Sequence, residues 1–288
     1  MTTILELVEK ARSRLIRVGL EPDQAGIDAE VLARDTLGWN RATYLANGRM
    51  VAPSDFLPKY ETVVWRREQR EPVSLIRGYR EFWQLEFEVT PDVLTPRPET
   101  ELLVEQTLFR LKESKVSGAH VADIGTGSGC LAVTVAVELP DCQITAVDVS
   151  IDALLVARRN AERYGVERRI RWVCAEHFEG LLGIKALSVI MANLPYIPVS
   201  QIKSLPPEVR DYEPHGALDG GPDGLDVIRA LITKANRHLD HGGWLIVECG
   251  TNQSEAVSQH VSSVATLVVI EIIEDLKATP RVLVIQKT

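Results

Sequence analysis

The sequence predicts an α/β fold: a doubly wound, mostly parallel sheet of seven strands that ends in an antiparallel hairpin, preceded by a small helical bundle. Three observations predict it. Apolar residues recur at three- and four-residue steps as far as about Glu71. From His120 onward, strand-like runs alternate with helical ones, which is typical of a parallel sheet covered by helices. The last two strand-like runs have no convincing helix between them, so they must pair antiparallel.

The N-terminal part is predicted to be a helical domain over residues 1–74. Apolar residues from Ile4 to Val18 keep helical spacing, and Gly19 closes that segment. The remaining predicted helices of this domain span residues 23–37, 41–46 and 54–70.

The chain then changes its periodicity. Between Ile76 and Thr90 polar and apolar residues alternate, which predicts a β-hairpin linker over residues 75–95. Pro98 suits the first turn of the following helix, where Glu99 and Glu101 lie near the positive end of the helix dipole. Residues 96–288 are therefore predicted to form a second domain.

Strands and helices of this second domain are predicted from its apolar runs. The predicted strands span residues 121–124, 143–149, 170–174, 187–192, 244–248, 267–273 and 281–286. The predicted helices span residues 131–139, 153–164, 225–239 and 253–264.

Composition and charge limit the classes of protein to which this chain can belong. The 288 residues are 45% hydrophobic and 25% charged, which is typical of a globular protein. The net charge is −8, and since residues 1–80 carry +2, the remainder carries −10. Such an acidic body disfavours nucleic-acid binding. The sequence has no candidate membrane span and no signal-peptide pattern, and its four scattered cysteines suggest no disulfide framework, so we expect a cytoplasmic protein without a membrane partner.

A glycine-rich loop follows the first predicted strand of the sheet. Its sequence is Asp123-Ile124-Gly125-Thr126-Gly127-Ser128-Gly129, and a helix begins directly after it. Glycines let the backbone approach a ligand beside the donor-rich end of a helix. The next strand ends at Asp148, whose carboxylate can accept hydrogen bonds from ribose hydroxyls. The loop and the acid together indicate an adenosine-type cofactor.

Three other functions of the loop are less compatible with its spacing. The nicotinamide fingerprint is Gly-x-Gly-x-x-Gly, a nucleotide phosphate loop needs Gly-Lys-Ser/Thr, and a hydrolase elbow needs Gly-x-Ser-x-Gly. None of these matches the loop, although a nicotinamide dehydrogenase stays open as an alternative.

A second motif, Asn193-Leu194-Pro195-Tyr196, follows the predicted strand 187–192, at the strand ends where ligands bind in open α/β sheets. A planar amide nitrogen is a poor nucleophile because its lone pair is delocalised. Acceptors for both of its hydrogens stabilise the transition state in which that lone pair turns toward an electrophile. The Asn193 side-chain oxygen and the Leu194 carbonyl are the candidate acceptors. Pro195 would stiffen the turn, and Tyr196 could pack on the planar group.

These motifs resemble those of known methyltransferases. The Asp-x-Gly-x-Gly-x-Gly loop resembles the first motif of class I S-adenosylmethionine-dependent methyltransferases. The tetrapeptide resembles the Asn/Asp-Pro-Pro-Tyr motif of enzymes that methylate planar nitrogens, with Leu194 in place of the first proline. The stretches 80–83, 95–103, 217–225 and 248–253 look like the peptide chain release factor glutamine methyltransferases, the PrmC/HemK family, and the resemblance covers essentially the whole chain.

This resemblance implies a function and further site residues. It implies transfer of a methyl group from S-adenosylmethionine to the N5 nitrogen of the glutamine in the Gly-Gly-Gln motif of release factors, giving S-adenosylhomocysteine. The helical domain would dock the partner, and Arg97 and Glu99 would line the substrate entrance. Glu176 and His177 would border the adenine. The implied cofactor-binding residues are Asp123, Gly125, Thr126, Gly127, Ser128, Gly129, Asp148, Glu176, His177 and Asn193.

Several alternatives stay open. Ribosomal-protein glutamine methyltransferases share the Asn-Pro-Pro-Tyr motif, and adenine-N6 methyltransferases of nucleic acids can use the same tetrapeptide. A binding module that retains only the cofactor pocket is a further alternative, against which the intact Asn193 argues. A metal site is not expected, because no ligand set accompanies His238 and His241.

Overall fold

The computed structural model describes residues 2–114, 118–176 and 187–288, which divide into two units. One unit comprises Met1–Gly78 and Pro206–Tyr212, and the other comprises Tyr79–Leu205 and Glu213–Thr288. In the described residues, no helix combines the length and the apolar character needed to cross a membrane.

The first unit is helical, as the sequence predicts. Its helices are α1 (Ile4–Arg17), α2 (Pro22–Leu37), α3 (Arg41–Asn47), α4 (Phe56–Glu68), α5 (Val73–Arg77) and the short α10 (Pro207–Arg210). A capping box of Thr3 and Glu6 begins α1. In the core, the rings of Phe56 and Tyr60 stack at 4.9 Å, and the Tyr60 hydroxyl donates to the Ala29 carbonyl. Burial of one face of each helix thus holds the bundle together.

Buried charges attach Pro206–Tyr212 to this bundle. Arg67 of α4 is 4% exposed, and its guanidinium donates to the Asp28 carboxylate at 2.7 Å and to the Glu208 carboxylate at 2.9 Å. Arg70 donates to both carboxylate oxygens of Glu208. The Tyr212 hydroxyl donates to a carbonyl at the end of α4. One short segment, distant in sequence, is therefore part of the helical unit.

The second unit contains the predicted sheet. After the hairpin β1 (Tyr79–Phe82) and β2 (Leu85–Glu88), its strands are β3 (His120–Ile124), β4 (Gln143–Asp148), β5 (Ile170–Cys174), β6 (Leu187–Ala192), β7 (Leu239–Glu248), β8 (Leu267–Glu274) and β9 (Pro280–Lys287). The seven-stranded order is β5-β4-β3-β6-β7-β9-β8, with β5 to β7 parallel and β9 antiparallel to both neighbours. The predicted fold is confirmed, including the antiparallel end.

Two apolar layers cover the sheet because strand residues alternate between its faces. Val121 of β3 belongs to one core cluster, while Ala122 and Ile124 belong to the other. The helices of this unit are α6 (Glu101–Ser114), α7 (Cys130–Glu138), α8 (Ile151–Arg163), α9 (Val199–Ile202), α11 (Asp226–Ala235) and α12 (Ser254–Ser262). Residues of α6 and α7 pack on the first face, and residues of α11 and α12 pack on the second.

The order of the strands creates a cleft. β4 and β5 lie on one side of β3, whereas β6 and β7 lie on the other. The chain therefore reverses direction across the sheet beside β3, and ligands of open α/β sheets bind at the carboxyl ends of strands at such a point. The glycine loop and Asn193 both follow strands that end there.

Most element boundaries differ from the sequence prediction by one or two residues, and two differences have a clear structural basis. The helix predicted over residues 225–239 ends at Ala235, and Leu239 instead begins β7, where it pairs with Leu187. Leu239 is buried, so its apolar character reflects burial in the sheet and not a helical face. Likewise α5 extends to Arg77, inside the predicted hairpin linker, before the hairpin begins at Tyr79.

Candidate active site

A cavity of about 340 Å³ lies in the second unit at the carboxyl ends of β3, β4 and β6. Ten of the residues predicted for the site line it: Arg97, Gly125, Thr126, Gly127, Ser128, Asp148, Glu176, Asn193, Leu194 and Pro195. Four others, Glu99, Asp123, Gly129 and Tyr196, are not among its lining residues. His177 lies outside the described residues. The structure thus brings the glycine loop and the first three residues of the tetrapeptide together around one cavity.

The glycine loop is held close to the tetrapeptide. Gly125 has φ +75°, which disfavours other residues, and a Cβ there would lie 2.9 Å from Leu194 Cδ2. Leu194 is 4% exposed and belongs to the apolar core on that face of the sheet. The Leu194 side chain therefore packs against Gly125 and holds the tetrapeptide against the loop.

Asp123 lies behind the loop. It is fully buried, and its Oδ2 accepts hydrogen bonds from Thr126 Oγ1 at 2.7 Å and from the Ala132 amide at 3.1 Å. Its Oδ1 has no partner among the described residues. Burial raises the pKa of this carboxyl to about 7. Asp123 therefore ties the loop to the first turn of α7.

The raised pKa of Asp123 predicts a pH dependence of stability. From about pH 4 to about pH 7 the folded protein keeps a proton that the unfolded chain has released, so a rise in pH favours unfolding. We expect the free energy of unfolding to fall by up to about 1.4 kcal/mol per pH unit from this group. Urea unfolding at several pH values should show a smaller fall for Asp123→Asn than for the natural protein. An equal fall in both would contradict this assignment.

Asp148 also holds the glycine loop, through a backbone amide. Its Oδ2 accepts from the Gly127 amide at 2.9 Å, and its Oδ1 accepts from the Ser150 amide at 2.9 Å. Burial raises the pKa of Asp148, while these backbone donors act against that rise. Each carboxylate oxygen has a second lone pair, so Asp148 can also accept hydrogen bonds from the hydroxyl groups of a ligand at this edge of the cavity.

Asn193 presents an acceptor to the cavity. Its Nδ2 donates to Thr100 Oγ1 at 2.9 Å, so the side-chain oxygen is directed away from that contact. Leu194, the next residue, also lines the cavity. Tyr196 is directed elsewhere, because its hydroxyl donates to Glu248 Oε1 at 3.3 Å. Asn193 and Leu194, the two residues predicted to supply acceptors, thus both lie at the cavity wall.

The tetrapeptide rests on residues that the sequence analysis did not assign to the site. The carbonyl of Tyr196 accepts from Gln253 Nε2 at 2.9 Å, and the Gln253 oxygen accepts from the Gly250 amide at 2.7 Å. Gly224 has φ +79°, and a Cβ there would lie 2.3 Å from the Tyr196 carbonyl oxygen. All three residues lie in the stretches 217–225 and 248–253. Those stretches therefore hold the tetrapeptide in place.

This close approach predicts that Gly224→Ala lowers kcat at least tenfold, because the tetrapeptide must shift. The matched control is Gly242→Ala. Gly242 has φ +80° but no atom within 4 Å of its Cβ position, so that variant carries the conformational strain without the clash. Steady-state kinetics of both variants measure the difference, and equal kcat values would show that the contact is unimportant.

Arg97 lines the cavity as a member of an ion pair. Its Nη2 donates to Glu213 Oε1 at 2.7 Å, and the Glu213 side chain is 3% exposed. Burial raises the pKa of Glu213, although the positive charge of Arg97 acts to lower it. Glu99 is half-buried and lies in the turn of Pro98–Thr100. The structure therefore places Arg97, and not Glu99, at the cavity wall.

Comparisons with known proteins agree with this geometry. Residues 6–78 match the family model of the PrmC N-terminal domain, and residues 99–201 match that of the methyltransferase small domain. A release factor glutamine methyltransferase of Geobacter sulfurreducens is 41% identical over 255 residues, which are 88% of this chain and 87% of that protein. One of Rhodopirellula baltica is 34% identical over 287 residues, 99% of this chain and 96% of that protein.

Solved structures share the fold at lower identity. A methyltransferase of Pyrococcus furiosus has a TM-score of 0.51 at 20% identity, over 72% of this chain and 90% of that one. A ribosomal protein L11 methylase of Lactobacillus delbrueckii subsp. bulgaricus has a TM-score of 0.50 at 18% identity, over 69% of this chain and 83% of that one. These likenesses concern the fold, which is that of a class I methyltransferase.

The fold, the two motifs on one cavity and the near full-length sequence relatives lead to one assignment. The chain is an S-adenosylmethionine-dependent methyltransferase. It belongs to the family of release factor glutamine methyltransferases.

Proposed function

We propose that this chain methylates the side-chain N5 nitrogen of the glutamine in the Gly-Gly-Gln motif of peptide chain release factors, with S-adenosylhomocysteine as the second product. One observation carries the proposal: Asn193 and Leu194 line the same cavity as the glycine loop and Asp148. The relatives that cover nearly the whole chain support the same reaction.

The cavity fits the cofactor. No atom lies within 4 Å of the Cβ position of Gly127, so the loop leaves open space beside Asp148, whose carboxylate would hold the ribose hydroxyls. Glu176 lines the same cavity and would accept from the adenine amine. When bound, S-adenosylmethionine supplies a methyl group activated by a positively charged sulfonium.

The protein residues act on the acceptor amide. The Asn193 oxygen and the Leu194 carbonyl would accept its two N–H hydrogens, which favours the geometry in which the nitrogen lone pair faces the methyl group. The nitrogen forms a bond to the methyl carbon as the carbon–sulfur bond breaks. The alkylated amide then loses one proton to water, so no general base is required. Alignment of the two reactants is the main contribution of the protein.

The helical unit would dock the release factor. The N-terminal residues 1–80 carry a net charge of +2 in a chain of −8. Large apolar side chains such as Ile27, Leu45 and Trp65 are exposed on this unit. A surface of this kind is typical of protein recognition.

We also infer a reducing, cytoplasmic location. The four cysteines are free, and three of them, Cys130, Cys142 and Cys249, are buried. Release factors act on ribosomes, so enzyme and substrate would share a compartment.

The cofactor assignment predicts the behaviour of Asp148→Ala. The variant should bind S-adenosylhomocysteine about 10- to 100-fold more weakly, because it loses charged hydrogen bonds and the contact that holds Gly127. Calorimetric titration measures this change. Asp152→Ala, an exposed carboxylate in the first turn of α8, is the control and should bind normally. Normal binding by Asp148→Ala would place the ribose elsewhere.

The substrate assignment is tested with labelled S-adenosylmethionine and three acceptors: an unmethylated release factor, ribosomal protein, and DNA or RNA. We expect label in the release factor alone. Label only in ribosomal protein or only in nucleic acid would replace the proposed substrate with one of those classes.

A further inference from the structure

A buried chain of hydrogen bonds connects Asn193 to a carboxylate outside the cavity. Asn193 Nδ2 donates to Thr100 Oγ1 at 2.9 Å, and that hydroxyl donates to Glu248 Oε2 at 2.8 Å. Thr100 is 2% exposed and Glu248 is 1% exposed. Glu248 is the last residue of β7, the neighbour of the strand that leads into Asn193. The tetrapeptide is thus fixed from behind by two residues that its motif does not contain.

The order of donors in this chain determines which end of the Asn193 amide meets the cavity. A hydroxyl has one proton, and an ionised carboxylate only accepts. Because the Thr100 proton is directed to Glu248, the Thr100 oxygen can only accept from Asn193. The amide must therefore turn its NH2 group toward Thr100 and its oxygen away. Without this constraint, the hydroxyl could donate to the Asn193 oxygen, and the amide could rotate by half a turn.

Such a rotation would place an NH2 group where a substrate amide needs an acceptor. Two sets of N–H donors would then face each other, and the substrate nitrogen would lose the contact that orients its lone pair. The glycine loop and Asp148 do not take part in the chain of hydrogen bonds, so their contacts with the cofactor would be kept.

We propose that Thr100 and Glu248 are positioning residues for methyl transfer, which fix the orientation of the Asn193 amide so that its oxygen faces the acceptor nitrogen. This inference rests on the proposed function for its catalytic consequence. The orientation itself is a property of the protein without substrate.

The environment of Glu248 makes the chain of hydrogen bonds sensitive to pH. Its neighbours are Thr100, Tyr196, Arg281 and Glu99. Burial raises the pKa of Glu248 to about 7, although the hydrogen bonds from Thr100 and Tyr196 and the positive charge of Arg281 each lower it. Protonated Glu248 can donate and so release the Thr100 proton toward Asn193. We expect kcat to rise with pH through about 7 and this step to be absent in Glu248→Gln.

Kinetic measurements on Thr100 variants test the proposal. Thr100→Val, which keeps the shape and removes the hydroxyl, should lower kcat about 10- to 100-fold with an unchanged affinity for S-adenosylhomocysteine. Thr100→Ser should recover kcat to within about threefold. The matched control is Thr107→Val, because Thr107 is equally buried in α6 and its hydroxyl has no partner among the described residues. It should retain the natural kcat.

A natural kcat for Thr100→Val, or a loss that Thr100→Ser shares in full, would overturn the proposal. Exchange of the Asn193 side-chain NH2 hydrogens with solvent, followed by NMR, gives a second readout that needs no substrate. It should be at least about tenfold faster in Thr100→Val. Unchanged exchange would also overturn the proposal, even if the natural protein failed to methylate a release factor. That failure alone would count only against the proposed substrate.

Discussion

Asn193→Ala is expected to lower kcat about 100- to 1000-fold while cofactor affinity stays within about threefold. Loss of one preorganised polar contact to a transition state has effects of this size. The variant removes the side-chain oxygen that faces the cavity, but the glycine loop and Asp148 keep their contacts. Binding and chemistry should therefore separate.

Single-turnover methyl transfer and calorimetric titration with S-adenosylhomocysteine measure the two effects. Asn236→Ala is a suitable control, since Asn236 lies at the end of α11 and is not among the residues that line the cavity. A kcat for Asn193→Ala within about threefold of the natural value would remove Asn193 from the mechanism.

Arg67→Ala is expected to destabilise the helical unit by about 3–5 kcal/mol, because it leaves the buried Asp28 carboxylate without its cationic partner and with only the Gln24 amide as a donor. The same change removes one of the contacts between α4 and Glu208, so Pro206–Tyr212 should loosen as well. Hydrogen exchange of backbone amides in α2 and α4 of the full-length protein measures the effect locally.

An exposed pair on the same helix provides the control. Lys59 and Asp55 are both more than half exposed, so Lys59→Ala should have little effect on the stability of the unit. The double variant Arg67→Met with Asp28→Leu should recover much of the loss, since no unpaired charge then remains at Asp28. Equal exchange rates in Arg67→Ala and Lys59→Ala would show that the buried pair does not stabilise the unit.

Much of the fold could be predicted because its signals are local. Alternating strand-like and helical runs indicated the parallel sheet, and the absence of a helix before residues 281–286 indicated its antiparallel end. The attachment of Pro206–Tyr212 to the helical unit gave no such signal. It depends on Arg67 and Glu208, which lie 141 residues apart, and no periodicity records a pairing over that distance.

The same distinction holds for the site. The glycine loop and Asn193 belong to short motifs, whose spacing can be read directly. The partners of the tetrapeptide are distant: Thr100 lies 93 residues from Asn193, and Gln253 lies 57 residues from Tyr196. The packing of Leu194 on Gly125 likewise depends on two strands lying side by side. Sequence patterns located residues that line the cavity, and the structure was needed to show what holds them.

The central claim is tested most directly by peptide mass spectrometry of an unmethylated release factor after incubation with this protein and S-adenosylmethionine. The account predicts one added methyl group on the glutamine of the Gly-Gly-Gln motif, absent when Asn193→Ala replaces the natural protein. An unmodified glutamine in the presence of normal cofactor binding, or a methyl group on another residue, would contradict it.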